Sequence, residues 1–359
     1  MMADALDSSL ATWLEDNAPR LDADVSAAAD VLPRLAAANV FAIGVPEAAG
    51  GVGGRPIDVV EAIADVSAHS LAAGFVFWGH RTYVEYLLQS PNTALAGRLL
   101  PDLLHGRVAG ATGLSNAMKF LAGLEDLQVT ARREGDGFRL DGRLPWVTNL
   151  APHAFHLAAA VAHADRPGAF VASLAAEDAG IERSADLDLI GLRATNTAAV
   201  ALKDVRIDPD RVIAADAHAW LPKVRPAFLS FQCGMSIGLA HRSIAAAQEA
   251  AGAGRHILAE PLAALAAALR VQERALAEGL ETGAFETQPA ALFRIRIALA
   301  EIVAEAIGLE LQATGGRAYL TAAGAAFARR WREAAFVPVI TPSLVQLKTA
   351  LAAQRQSAA

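Results

Sequence analysis

The segment LQVTARREGDGFRLDGRLPWVTNLA, Leu127 to Ala151, alternates apolar and polar side chains in two runs joined at Gly135-Asp136-Gly137. A period of two belongs to a strand with one buried face, and glycines flanking an aspartate supply a tight reversal. The segment therefore predicts a β-hairpin. HLAAAVAHA (His156 to Ala164), AFVASLAA (Ala169 to Ala176) and AAVALKDVRI (Ala198 to Ile207) are further strand candidates, separated by turn residues such as those from Asp165 to Gly168. Together they predict a central β unit over residues 107–214.

On both sides of this unit the period changes to that of a helix. Upstream, Val25 to Ala38, Ile57 to Ser67, Leu71 to Leu88 and Leu95 to Leu104 carry apolar residues at helical spacing. Downstream, the chain returns to helix after Pro226. Phe228 to Ala251, Pro261 to Glu278, Gln288 to Thr314 and a final run from Leu344 are long and alanine-rich, with lengths that suit a four-helix bundle. Gly315-Gly316 ends the third of these. The expected class is α+β: an N-terminal all-α domain (1–106), a central β-barrel or sheet domain (107–214) and a C-terminal helical bundle (215–359).

Composition narrows the function. The chain has 359 residues, 54% of them hydrophobic and 19% charged, which is enough apolar material for a large core. A net charge of -7 argues against general nucleic-acid binding, which needs clustered positive charge. The single cysteine, Cys233, allows no intrachain disulfide and fits a reducing compartment, and no zinc-spaced cysteine set exists. The N-terminal MMADALDSSLATWLEDNAPRLDADV is acidic and amphipathic, unlike a secretory signal. No run of about 20 uninterrupted apolar residues marks a membrane span. A cytoplasmic protein without nucleic-acid or membrane partners is the expectation. Phe228 to Ala251 and Gln288 to Thr314 are apolar around most of their circumference, which predicts burial against a second chain in a homodimer or homotetramer.

Six local patterns, in order along the chain, resemble those of acyl-CoA dehydrogenases. VPEAAGGVGG (Val45 to Gly54) is similar to the family's Pro-Glu-x-x-Gly-Gly-x-Gly loop. AGATGLSNAMKF (Ala109 to Phe120) sits where the family has Ala-x-Thr-Glu-Pro. DGRLPWVTNLA (Asp141 to Ala151) resembles Gly-x-Lys-x-Trp-Ile-Thr-Asn-Ala and is the most specific match. GLRATNTAAVALKDVRI (Gly191 to Ile207), Ser236 to Leu239 and TGGRAY (Thr314 to Tyr319) complete the series.

The resemblance implies FAD between the β domain and the bundle, with Trp146, Val147, Thr148 and Asn149 beside the isoalloxazine ring. Reduction of a flavin puts negative charge at its N1 and O2 side, which nearby N–H groups and hydroxyls stabilise, and a flat indole can cover one face of the ring. An ordinary hairpin end also favours Trp and Thr. The resemblance further assigns Thr112, Ser115, Arg255 and Ser343 to the cofactor. A guanidinium such as that of Arg255 suits a pyrophosphate. Here Gly113-Leu114 replaces the family's Glu-Pro, and Pro342-Ser343 replaces its Gly-Thr. Glu47, in the Pro-Glu loop, reads as a polar turn residue.

Dehydrogenation of an acyl thioester needs a carboxylate to take the α-proton. Counting from Arg332-Glu333-Ala334, which stands for the family's Arg-Asp-Ala, puts Thr341 at the base position. The family's alternative position falls on Phe228. Glu333 is the nearest carboxylate, at a place where the family has a structural acid. Three functions are thus in play: a flavin oxidoreductase on an acyl thioester or related small molecule, a flavin-dependent monooxygenase of the same fold, and a non-catalytic subunit of a mixed oligomer. His80, interrupting the apolar run GFVFWGHRTY, is the candidate polar group for the second, although such a histidine is more often a hydrogen-bonded core residue.

Overall fold

The computed structural model describes residues 6–114, 117, 120–121, 125–250, 252 and 255–357. Five helices come first: α1 (Ser8–Ala23), α2 (Ala28–Ala37), α3 (Pro56–His69), α4 (Leu71–Leu88) and α5 (Thr93–Leu104). Eight strands follow: β1 (Ala109–Thr112), β2 (Val129–Glu134), β3 (Gly137–Val147), β4 (Phe155–His163), β5 (Ala169–Ala175), β6 (Ile181–Asp186), β7 (Ala198–Ile207) and β8 (Val212–Ala214). Five helices longer than one turn close the chain: α6 (Ala217–Ala250), α7 (Ala259–Glu281), α8 (Pro289–Thr314), α9 (Ala325–Phe336) and α10 (Leu344–Ser357). This is the expected α+β order of helices, sheet and helices.

The predicted hairpin is β2–β3, with Glu134 opposite Gly137 and a two-residue loop between them. Gly135 has φ 59°, at the first loop position, where a type II′ turn needs a residue that tolerates the left-handed region. The sheet order is β6-β7-β3-β2-β4-β5-β8, with β1 pairing parallel to β4. β1, β6 and β8 escape a reading by period. The first and last have four and three residues, too few to show alternation, and β6 (IERSAD) has no buried face.

Between Leu144 and Val147 the register of β3 against β7 slips by one residue. Such a bulge puts both Leu144 and Val147 on the core side and leaves Pro145, which has no N–H to pair, and Trp146 between them. Trp146 is consequently 61% exposed although it lies in the middle of the sheet.

The bundle's first helix starts earlier than Pro226. α6 begins at Ala217 and contains both Pro222 and Pro226, tolerated in its opening turns because Trp220, Leu221 and Val224 anchor that segment in the core. Every residue from Ala227 to Ala240 is buried within the single chain. The outward stripe of α8 is polar: Arg294, Glu301, Glu305 and Gln312 are exposed. The expected apolar surface of these two helices is therefore already covered by α3, α7 and α9, and does not itself require a second chain. By length and composition Ala325–Arg355 could cross a membrane. It is bent at Val337–Val339 and at Pro342, however, and its Arg329 and Arg330 pair with Glu333 and Glu310 inside the protein.

Candidate functional site

A cavity of about 580 Å³ opens where the sheet, α4, α6 and the segment after α9 meet. Its deep wall is aromatic. Phe75 stacks on Trp78 at 5.4 Å, Phe336 meets Phe75 edge-on at 4.9 Å, and Phe228 meets Trp78 edge-on at 5.3 Å. The Trp78 indole N–H donates to the Phe228 carbonyl (3.2 Å), so the polar end of that ring is satisfied away from the cavity. Facing this wall are Leu144, Pro145 and Trp146 of β3, Thr148 just after it, Ile190, Leu192 and Thr197 of the β6–β7 connection, and Thr112 at the end of β1. Val339, Ile340 and Thr341 complete the rim.

The polar groups on the β side form a chain. Thr148 Oγ1 lies 3.0 Å from Thr197 Oγ1, which lies 2.8 Å from Thr195 Oγ1, and Thr195 donates to the Leu192 carbonyl at 2.8 Å. The Leu192 N–H donates to Asp22 Oδ1 (2.9 Å), and Arg332 Nε donates to Asp22 Oδ2 (3.0 Å). Asp22 is buried, and Arg332 borders the cavity. A Cβ on Gly191 would stand 2.7 Å from Asp22 Oδ1, so a side chain there would push the carboxylate off Leu192. Thr112 Oγ1 is 3.0 Å from the Tyr86 hydroxyl and receives the Leu114 N–H at 3.4 Å. Burial in this apolar setting raises the Tyr86 pKa above its ordinary value.

Thr341 reaches the cavity because its loop is tied to the bundle. Gln232 on α6 donates to the Thr341 carbonyl (2.8 Å), and the fully buried Arg296 on α8 donates to the Val337 carbonyl (2.8 Å) and to Gln232 Oε1 (3.4 Å). Phe228 lines the cavity from α6. Both residues at the expected base positions thus face one space, and neither carries a carboxylate. Glu125 is the one carboxylate among the described residues that border the cavity.

The remaining predicted residues sit elsewhere. Val147 points into the sheet core. Asn149, at φ 63°, donates its amide to the Gly110 carbonyl (2.9 Å) and its backbone N–H to the Thr195 carbonyl (2.9 Å), so it splices β1 and β3. His80 is fully buried between α4, α5 and β1. Its Nε2 donates to the Leu103 carbonyl (2.9 Å) and its Nδ1 receives the Gly110 N–H (3.0 Å), which leaves no lone pair for catalysis. Burial holds its pKa down at about 4, so the ring is neutral. Ser343 is an N-cap: its Oγ accepts the Gln346 N–H (3.4 Å), while Gln346 Oε1 accepts the Ser343 N–H (2.6 Å), a capping box that opens α10. Glu333 is buried, paired with Arg329 (2.6 Å), and accepts the N–H of Leu71 at the start of α4 (3.2 Å). That is a helix-capping role outside the cavity, and burial pushes its pKa up. Glu47 is exposed in a short turn. Ser115 and the side chain of Arg255 lie outside the described residues.

Sequence reasoning missed Asp22, Arg332, Thr195, Thr197 and the aromatic wall. The spacing of Phe75 and Trp78 at i and i+3 on α4 was a usable signal, because it places both rings on one helical face. No local signal marks Asp22.

Comparison with known proteins accords with the fold. Residues 1–107 match the family described as "Acyl-CoA dehydrogenase, N-terminal domain". The mitochondrial isovaleryl-CoA dehydrogenase of Pongo abelii is 26% identical over 184 residues, 49% of this chain and 42% of that protein. The match therefore spans less than half of the curated relative. Among solved structures, KijD3 in complex with FMN and dTDP-3-amino-2,3,6-trideoxy-4-keto-3-methyl-D-glucose superposes with a TM-score of 0.81 at 18% identity, covering 98% of this chain and 92% of that one. Butyryl-CoA dehydrogenase from Megasphaera elsdenii superposes with a TM-score of 0.77 at 15% identity, covering 97% and 94%. Residues 1–107 are thus similar to the N-terminal domain of acyl-CoA dehydrogenases, and the chain as a whole shares the fold of these solved structures.

Proposed function

We infer that this chain is a flavin-dependent oxidoreductase that acts on a small, largely apolar molecule without a carboxylate at either of the family's base positions. The observation that carries the reading is the pairing of Thr341 and Phe228 around one cavity whose deep wall is aromatic. The residues present suit a flavin, with FAD the form that the resemblance implies. Trp146 offers an exposed flat ring, and Thr112, Thr148 and Thr197 offer hydroxyls on the same side. A bound flavin would supply the acceptance or donation of an electron pair. The chain's own part is to hold an apolar substrate against Phe75, Trp78, Phe228 and Phe336 and to keep water from it, since these rings bind by burial rather than by charge. An acyl thioester or a related small molecule fits such a wall, but removal of its α-proton has no assigned base. We place the protein in the cytoplasm, as a homo-oligomer.

The missing carboxylate also favours a second reading, a monooxygenase that uses reduced flavin and oxygen. His80 is not available as its acid or base, because both ring nitrogens are engaged. The deciding experiment is a visible spectrum of the purified chain after incubation with FAD. Retained yellow flavin supports an oxidoreductase. Oxygen consumption that needs externally reduced flavin supports the monooxygenase. A chain that retains no flavin in either redox state contradicts both and leaves the non-catalytic subunit.

A further inference from the structure

The hydroxyl chain fixes the direction of three protons. The Leu192 carbonyl can only accept, so Thr195 gives it the single proton of its hydroxyl. Thr197 must then donate to Thr195, and Thr148 must donate to Thr197. Thr148 and Thr197 both border the cavity. The proton of Thr148 is thus turned away from the cavity, and its remaining lone pair is what a ligand meets.

The far end of the chain is held so that this order cannot easily reverse. Leu192 and Asn196 have φ of 54° and 46°, a region that L side chains rarely adopt. The turn between them is pinned at several points. Asp22 accepts from Leu192 N–H, the Thr195 carbonyl accepts from Asn149 N–H, and the Asn196 carbonyl accepts from Leu150 N–H (3.0 Å). Arg332 pairs with the second oxygen of Asp22. A buried turn with this many anchors keeps the Leu192 carbonyl aimed at Thr195.

We propose that Thr148 meets its ligand as a hydrogen-bond acceptor, with Thr197 and Thr195 as the positioning residues that hold it in that role. The inference rests on the flavin reading above and adds to it a redox preference. The oxidised ring presents lone pairs at N1 and N5, whereas the dihydro ring carries an added N–H at N5. A ligand N–H satisfies Thr148 and leaves the Thr148–Thr197 bond intact. A ligand lone pair forces Thr148 to turn its proton and give that bond up. One hydrogen bond separates the two cases, which corresponds to roughly five- to tenfold in affinity in favour of reduced flavin.

The test is anaerobic titration of the full chain with oxidised and with dithionite-reduced FAD, followed by quenching of tryptophan fluorescence. Wild type should bind reduced FAD the more tightly. Thr197→Val nearly keeps the volume of Thr197 but removes the acceptor for Thr148, freeing its proton, so the ratio of the two affinities should fall roughly five- to tenfold. Thr197→Ser should restore it. Thr148→Val, the second variant should Thr197→Val not fold, should weaken reduced FAD by a similar factor and leave oxidised FAD nearly unchanged. The same affinity ratio in wild type and both valine variants overturns the inference while leaving the flavin reading intact. Binding of neither redox form by wild type overturns the flavin reading, and the inference with it.

Discussion

Asp22 carries more of the site than any residue that a motif points to. It receives the Leu192 N–H and the Arg332 guanidinium from partners 170 and 310 residues away in sequence. Contacts at that separation have no period and no spacing, which is why nothing along the chain singles Asp22 out. Trp146 and Thr148 were legible for the opposite reason, since one short stretch of sequence at the end of β3 carries both. Asp22→Asn keeps the shape but removes the charge that Arg332 faces, and should cost about 1.5–3 kcal/mol in urea unfolding, the scale of a hydrogen bond to a charged group. An unchanged midpoint would show that the network contributes nothing. His80 gives a prediction in pH. Its folded pKa, about 4, lies below the ordinary 6.5. The unfolded chain therefore binds the proton more readily, and stability falls as pH drops from about 6.5 to about 4, by on the order of 3 kcal/mol. Glu333 acts in the opposite sense. Its raised pKa adds stability at low pH that is lost as pH rises above the ordinary carboxylate value. The His80 contribution is thus read as the difference between wild type and His80→Gln. The variant, whatever its stability at pH 7, should lose less of it on going to pH 4.5.

At the scale of elements, the fold rests on a close approach of α6 to α3. A Cβ on Gly238 would stand 2.0 Å from the Ala64 carbonyl oxygen, and one on Gly234 would stand 2.6 Å from that of Val60. These two glycines, four apart, lie on one helical face and let the two backbones nearly touch. That gives the run at Ser236 to Leu239 a physical reason beyond its resemblance to a family pattern. Gly238→Ala adds helix propensity yet pushes on backbone that cannot move aside, so the net effect should be destabilising by about 1–3 kcal/mol. A variant at least as stable as wild type would contradict this packing. The same scale shows where period fails as a guide. The hairpin and the long helices followed from it, whereas the start of α6 was hidden behind two prolines and the bulge that turns Trp146 outward is a break in alternation. A bulge of that kind marks a site only after the sheet is known.

For the molecule as a whole, the expected apolar faces of α6 and α8 are spent inside one chain. The case for an oligomer shifts to Val271 on α7 and to Tyr319 and Leu320 after α8, which are 50%, 93% and 58% exposed. We expect a dimer or tetramer by light scattering at micromolar concentration, and weaker association for the double variant Tyr319→Ser, Leu320→Ser. A monomeric wild type would contradict that. The central claim concerns chemistry and depends on how the three parts of the chain converge: α4 brings Trp78, α6 brings Phe228 and the loop before α10 brings Thr341 to one cavity, and neither of the two expected base positions carries a carboxylate. A positioned general base contributes roughly 10²–10⁴-fold to proton removal, so its loss should be visible directly. The measurement is the anaerobic visible spectrum of the FAD-loaded protein after mixing with a saturated acyl-CoA such as butyryl-CoA. The flavin band should persist over minutes. Its rapid bleaching would mean that an effective base is present and that Thr341 and Phe228 do not mark its absence.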